Sequence, residues 1–438
     1  QRQMCIRDRV RGDSLKQRMD RIARCFWLRR PTIPLPSCGI SSRMSATREL
    51  CTELEPSSKR IKTEDSMSES LMPSQSHALM PRFEHGLFLA PMVRTGSLPC
   101  RLLSLEYGAS LVWGPEVVDR AIMETERDVD PTTGVVEFRK GDKPVFSTHP
   151  IERPYLIYQL GSATPEFAAE AVRIVTQHDD VAGVDLNCGC PKPFSTLGGM
   201  GSNLLSTPDL LCDIIKAMRR AAPPHVSVSC KIRLLPTQEE TFSLVEKIVR
   251  ARAIRVLTIH CRTKPMRPRE AALLERFRAV AEHVAKIAKE TEQDVTVVCN
   301  GDCFSIADIP HLRELTGASS FMMARGPEAN MSCFQPQREC TATVLAPKWL
   351  RYAIRTNNLF GNSKYCITQM AFTTTAGAKD TDAEKISPLK KRDLVEIRSA
   401  LSASQTHEDM ARALHLPWPL DTSDVLEHLQ RKLDERAR

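Results

Sequence analysis

The sequence predicts an α/β chain, a (β/α)8 TIM barrel followed by a small all-α C-terminal domain. Three observations predict it. Eight short apolar runs rich in β-branched residues recur over 83–335, and helix-like stretches separate them. The runs are apolar throughout instead of alternating, the pattern of parallel strands buried on both faces. Their span is close to the roughly 250 residues such a barrel needs. A doubly wound open sheet is the rival architecture, but no G-x-G-x-x-G turn follows the first run.

In chain order the runs are LFLAPMV (87–93), ASLVWGPEVV (109–118), YLIYQLG (155–161), AGVDLN (182–187), VSVSCKIRL (226–234), RVLTIH (255–260), VTVVCN (295–300) and SSFMMAR (319–325). Thr164 and Thr207 each precede a proline that opens a helical stretch, a sound start signal. Pro115 falls inside the second run, odd for a central strand. After about residue 347 the periodicity turns helical, through WLRYAIRTNNLF, DLVEIRSALSAS, HEDMARALHL and DVLEHLQRKLDERA, and 340–438 is expected to form the second domain.

In this fold, chemistry gathers at the C-terminal ends of the strands. Those ends carry Pro91 and Met92, Gln159, Asn187, Lys231 with Arg233, His260, Asn300-Gly301-Asp302, and Ala324-Arg325-Gly326. Cations at buried strand ends are costly unless a ligand compensates them. Their convergence suggests an anionic, ring-containing cofactor. Gly301, Gly326 and Arg325 on the last two loops suit a phosphate.

Composition narrows the class further. Of 438 residues, 42% are hydrophobic and 26% charged, which excludes wholesale disorder. No stretch reaches the roughly 18 uncharged apolar residues of a spanning helix, so no membrane partner is expected. The 15 cysteines sit largely in apolar runs and read as reduced thiols. Cys188, Cys230, Cys261, Cys299 and Cys303 lie near strand ends but form no C-x-x-C pair, so no metal site is expected. The net charge of +8 resides entirely in residues 1–43, so bulk charge argues for neither DNA nor RNA.

The first 82 residues read as a disordered leader. Residues 4–9 (MCIRDR) resemble a translated sequencing adapter, and 1–9 are set aside as a scar. Residues 10–43 are either translated upstream sequence or, from Met19, an Arg-rich transit peptide. KRIK at 59–62 reads as a solvated charge run or a nuclear signal. The expected location is the cytoplasm, with a mitochondrial or nuclear pool left open by these segments.

Strand four runs into Asn187-Cys188-Gly189-Cys190-Pro191-Lys192, and then Gly198-Gly199-Met200-Gly201. With LAPMV, YQLGS, CKIR, His260 followed by Arg262, NGD and MAR, this loop resembles the tRNA-dihydrouridine synthases. Details such as STLGGMG are most similar to the eukaryotic branch that acts on position 20 of cytoplasmic tRNA. The resemblance implies FMN in the barrel mouth, hydride from NADPH or NADH, and hydride delivery to C6 of a uracil. It implies Cys190 as the general acid that protonates C5, a task for a protonated thiol. It places Pro91, Met92, Gln159, Lys231, His260, Asn300, Gly301, Asp302, Ala324 and Arg325 on FMN. It places Asn187 and Arg262 toward the substrate. Cys261, Asp302 and Met331 depart from the family's usual residues.

From Thr341 to Ala378 there is no acidic residue, while Lys348, Arg351 and Arg355 are interleaved with Trp349 and Tyr352. Such a face suits an RNA backbone, and the resemblance implies a helical domain that grips tRNA. Packing of Trp349 and Tyr352 into the core is the competing reading. The expected partner is tRNA, with the chain acting as a monomer. Two other classes stay open: a barrel reductase of a small molecule, and a non-catalytic barrel that only holds RNA.

Overall fold

Eight parallel strands close on themselves. The computed structural model describes residues 81–372 and 386–438, so the leader expectations fall outside the described residues except at 81 and 82. The barrel strands are β1 (Leu87–Leu89), β2 (Leu111–Trp113) with its short continuation β3 (Val117–Val118), then β7 (Leu156–Gly161), β8 (Gly183–Cys188), β9 (Ser227–Arg233), β10 (Val256–His260), β11 (Thr296–Asn300) and β12 (Ser320–Met323). Every neighbouring pair is parallel, and β12 pairs with β1 to complete the ring. Helices α1 (Leu98–Glu106), α2 (Asp119–Met123), α3 (Pro165–Thr176), α4 (Pro208–Ala221), α5 (Gln238–Arg250), α6 (Phe277–Glu290), α7 (Ile309–Thr316) and α8 (Arg325–Ala329) follow the strands.

Successive side chains on a strand point to opposite faces, and this alternation sorts the barrel interior into layers. Phe88, Ile157, Val256, Val298 and Met322 form one buried apolar cluster with Trp113 and Phe83. One pleat or more further along, the same faces carry Gln159, Asp185 and Asn187, Ser229 and Lys231, Thr258 and His260, and Asn300. The floor is therefore apolar and the mouth polar. The opposite faces, with Cys188, Cys230 and Cys299, pack into the larger core.

Strand two, expected as one run over 109–118, is broken. The Gly114 N–H still donates to Ile157 O at 2.9 Å, residues 115 and 116 lie outside the ladder, and pairing resumes at Val117 opposite Leu160. Pro115 has no N–H to give the ladder. A second difference follows it. Strands β4 (Glu126–Val129), β5 (Val136–Lys140) and β6 (Lys143–Thr148) form an antiparallel sheet between β3 and β7. The buried Arg101–Glu152 pair anchors this insertion: Arg101 Nη2 donates to Ser147 O, and Thr148 Oγ1 donates to Glu152, at 2.7 and 2.9 Å.

The C-terminal helices are α9 (Ala346–Arg355), α10 (Phe360–Gln369), α11 (Lys391–Ala403), α12 (His407–Ala413) and α13 (Val425–Ala437). α9 packs on α1: Trp349 is fully buried and its Nε1 donates to Cys100 Sγ at 3.1 Å. Arg436 of α13 donates to the Ala109 carbonyl at 2.8 Å. Among the described residues no helix is long and apolar enough to cross a membrane.

Candidate active site

The strand ends enclose a pocket of about 300 Å³. Of the residues expected to hold a cofactor, Pro91, Met92, Gln159, Lys231, His260, Ala324 and Arg325 line it, together with Asn187 and Cys190. Asn300, Gly301 and Asp302 do not line it. Asn300 is buried and donates to the Met322 carbonyl at 2.8 Å, tying β11 to β12. Gly301 lies against Ala272 and Leu274. The Asp302 carboxylate takes hydrogen bonds from Arg262, Arg325 and the Ala272 N–H, the last at 2.7 Å. Burial pushes this carboxyl up, but the Ala272 N–H and Arg262 outweigh it and hold it below the usual range. Asp302 is thus a counter-anion that aims two arginines.

Arg262, expected at the substrate, is 3% exposed and buried among protein acceptors. Its Nε donates to Glu270 O at 2.9 Å and its Nη1 reaches His260 Nε2 at 3.3 Å. Arginine can only donate, so the neutral His260 ring is assigned its proton on Nδ1. Burial, then Lys231, Arg233, Arg262 and Arg325, hold His260 well below its ordinary value. His260 is therefore a neutral hydrogen-bonding group, where the sequence reading grouped it with the cations.

Lys231 is 9% exposed, and burial lowers it from 10.5 to about 8. Among the described residues no carboxylate forms an ion pair with it. The nearest compensation is Asp185 on the neighbouring strand, fully buried and pushed up to about 6 by burial. Asp185 accepts from Gln159 Nε2 at 2.7 Å and from Ser229 Oγ at 2.6 Å, so it also fixes the Gln159 amide. A nearly buried ammonium without an ion-pair partner, beside an oriented amide, fits an anionic or carbonyl-bearing ligand. Gly326 adds a close approach: a Cβ there would sit 1.9 Å from the Phe304 carbonyl oxygen.

Cys190 sits on the loop after β8. Asn187 Oδ1 accepts from the Gly189 and Cys190 N–H groups at 3.0 and 3.1 Å, turning the chain back on itself. Arg233 Nε donates to Gly189 O at 2.7 Å, and Ser202 N–H donates to Cys190 O at 2.9 Å. Gly201 has φ +60, and a Cβ there would come within 2.6 Å of Cys190 O. The thiol is pushed above its ordinary value, first by burial; the Lys192 backbone opposes this and Glu116 adds to the rise. A thiol raised above its ordinary value stays protonated at neutral pH. Cys188, two residues earlier, is fully buried on the outer face.

Glu116 and Asp185 went unremarked in the sequence, and Tyr365, expected among the aromatics of the C-terminal basic face, lines the pocket instead. Period-two spacing from Asn187 places Asp185 inward, a usable signal. Glu116 follows the proline that breaks strand two, another. Tyr365 comes from α10, and no local pattern marks it as a pocket residue.

The C-terminal cations lie elsewhere. Lys348 Nζ is 2.8 Å from Glu106 Oε1, and Tyr352 donates to Glu106 Oε2 at 2.8 Å. Arg351 binds Asp424 and the Asp421 carbonyl, and Arg355 binds the Thr133 carbonyl at 3.0 Å. Trp349 and Tyr352 are core residues rather than an aromatic surface.

A family profile described as "Dihydrouridine synthase (Dus)" matches residues 88–374. The chain belongs to the dihydrouridine synthase family. A fission-yeast (Schizosaccharomyces pombe) relative named tRNA-dihydrouridine(20) synthase (NAD(P)+) is 38% identical over 358 residues, covering 80% of this chain and 69% of the relative. A budding-yeast (Saccharomyces cerevisiae) relative of the same name is 35% identical, covering 65% of this chain and 76% of that one. A human relative of this dihydrouridine synthase, named tRNA-dihydrouridine(20a/20b) synthase (NAD(P)+)-like, is 31% identical over 57% of this chain and 71% of its own length.

Proposed function

We propose that this dihydrouridine synthase binds FMN in the barrel mouth and reduces the uridine at position 20 of tRNA to 5,6-dihydrouridine, with NADPH or NADH as hydride donor. The observation that carries the reading is the pairing of one protonated thiol, Cys190, with Lys231, Gln159 and His260 in a single pocket. Bound FMN would supply hydride to C6 of the base. Lys231 and the Asp185-oriented Gln159 would hold the ring of the cofactor, neutral His260 would hydrogen-bond it, and Arg325 beside Gly326 would meet its phosphate. Asn187 holds the Cys190 loop in register, and Cys190 gives its proton to C5. The two yeast relatives named for position 20 support the choice of nucleotide. Proton donation by a positioned group contributes roughly 10²–10⁴-fold.

The test is incubation of the protein, FMN and NADPH with cellular tRNA that lacks dihydrouridine, followed by mass spectrometry of the mapped fragments. Dihydrouridine at position 20 is the expected product. Oxidation of NADPH with the tRNA left unchanged, or turnover of a free pyrimidine instead, would overturn the reading.

A further inference from the structure

Glu116 has no part in the scheme above, yet it lines the same pocket. Three features of the fold put it there. Pro115 interrupts strand two just after the Gly114 N–H donates to Ile157 O at 2.9 Å, and frees residues 115 and 116 from the ladder. Gly161, at the end of β7, leaves the space the carboxylate fills: a Cβ on Gly161 would lie 2.7 Å from Glu116 Oε1. Ser195, fully buried on the loop beyond Cys190, donates to Glu116 Oε1 at 2.9 Å. The carboxylate also interacts with the Cys190 thiol and the Asn187 amide.

Locking the loop does not by itself call for a carboxylate. A glutamine would accept the Ser195 hydroxyl equally well, without the cost of a half-buried charge. Among the described residues no cation forms an ion pair with Glu116; Lys192 acts on it only at longer range. The group it touches that can exchange a proton is the thiol.

We propose that Glu116 is the proton partner of Cys190, holding the thiol protonated between turnovers and returning a proton to it after Cys190 has protonated the substrate carbon. This rests on the reaction proposed above. When Cys190 acts, its S–H bond breaks and a C–H bond forms at C5, which leaves a thiolate against a carboxylate. Two anions in contact are unfavourable, so the pair takes up one solvent proton on the Glu116 oxygen: an O–H bond of a pocket water breaks as the Glu116 O–H bond forms, and the hydroxide left is neutralised in bulk solvent. The Glu116 O–H bond then breaks as the S–H bond re-forms, and Glu116 returns to its starting form. The charged groups that act on the pair are Lys192, Lys231 and Arg233, all lining the same pocket, while Cys188 lies behind it on the outer face of β8. Burial first, against the Asn187, Ser195 and Cys190 contacts, raises Glu116 above the usual carboxylate range, which favours uptake of the proton.

The experiment compares wild type, Glu116→Gln and Glu116→Asp as full-length, FMN-loaded protein. The first readout is the pH dependence of Cys190 alkylation by iodoacetamide, followed on the Cys190 peptide by mass spectrometry. Only the thiolate reacts, so the midpoint reports the thiol. In Glu116→Gln it should fall by about one unit. The second readout is the pH–rate profile of dihydrouridine formation. Glu116→Gln should be roughly 100-fold slower, with its alkaline limb displaced to lower pH, and Glu116→Asp should recover part of both effects. An unchanged alkylation midpoint in Glu116→Gln, or a wild-type rate across the pH range, overturns the proposal. A wild-type protein that forms no dihydrouridine overturns the reaction instead, and the alkylation midpoints still decide whether Glu116 governs the thiol.

Discussion

The chain carries two sets of cations that look alike as sequence and differ in what they do. Lys231 and Arg325 stand at strand ends and line a pocket, and of the two only Arg325 is ion-paired among the described residues, to Asp302. Lys348, Arg351 and Arg355 stand on one helix, and each binds a partner inside the protein. In the mouth, Lys231 has no ion-pair partner among the described residues and is lowered to about 8. On α9, Lys348 pairs with Glu106, 242 residues away. An absence of nearby acids in the sequence thus says little about which cations are free for a ligand. The strand geometry that turns Lys231 inward says more.

Five changes bear on this contrast, from the largest expected effect to the smallest. Cys190→Ala should slow base reduction by roughly 10²–10⁴-fold while the protein stays yellow, as read by single-turnover assay and absorbance. Lys231→Ala should cost FMN affinity at least about tenfold, by equilibrium dialysis, since a buried charge-assisted contact contributes roughly 1.5–3 kcal/mol. Raising the pH of wild type probes the same group. A lysine lowered to about 8 is charged below that pH and loses its charge above it. FMN affinity should therefore hold from pH 6 to 7.5 and fall above about pH 8, read by the same dialysis. Glu106→Gln should lower stability by about 1–3 kcal/mol in urea unfolding, because one of the two oxygens that Lys348 and Tyr352 donate to becomes an NH2 and the Lys348 ion pair is lost. Arg351→Ala should lower stability by less than about 1 kcal/mol, since the pair it breaks is half-exposed. It should change tRNA affinity less than about twofold. A large loss of tRNA affinity with unchanged stability in Arg351→Ala would erase the contrast.

The barrel was legible because strands buried on both faces leave long apolar runs, as in 155–161 and 182–187. The mouth was legible because most of those runs end in polar residues, and Gln159, Lys231, His260 and Arg325 line the pocket with Asn187 and Cys190. The antiparallel sheet was not legible. Its strands are short, half-exposed and charged, as ERDV and VEFRK show. The cue was the turn at Gly141, with φ +57, between two alternating segments. Glu116 and Asp185 were passed over because each is a single acid inside an apolar run. Asp302 was placed on the cofactor because adjacency in sequence cannot show that two arginines enclose its carboxylate. The partners of the α9 cations come from α1, the β4–β5 turn and the segment before α13, contacts that no local pattern encodes.

The central claim is that the pocket holding Lys231 reduces tRNA through the Cys190 thiol. The most direct measurement is dihydrouridine formed at position 20 in a single turnover, with wild-type and Cys190→Ala protein loaded with FMN and given the same reductant. The account predicts dihydrouridine from wild type and a loss of at least about 100-fold in the variant, with FMN retained by both. Equal rates from the two proteins would contradict it.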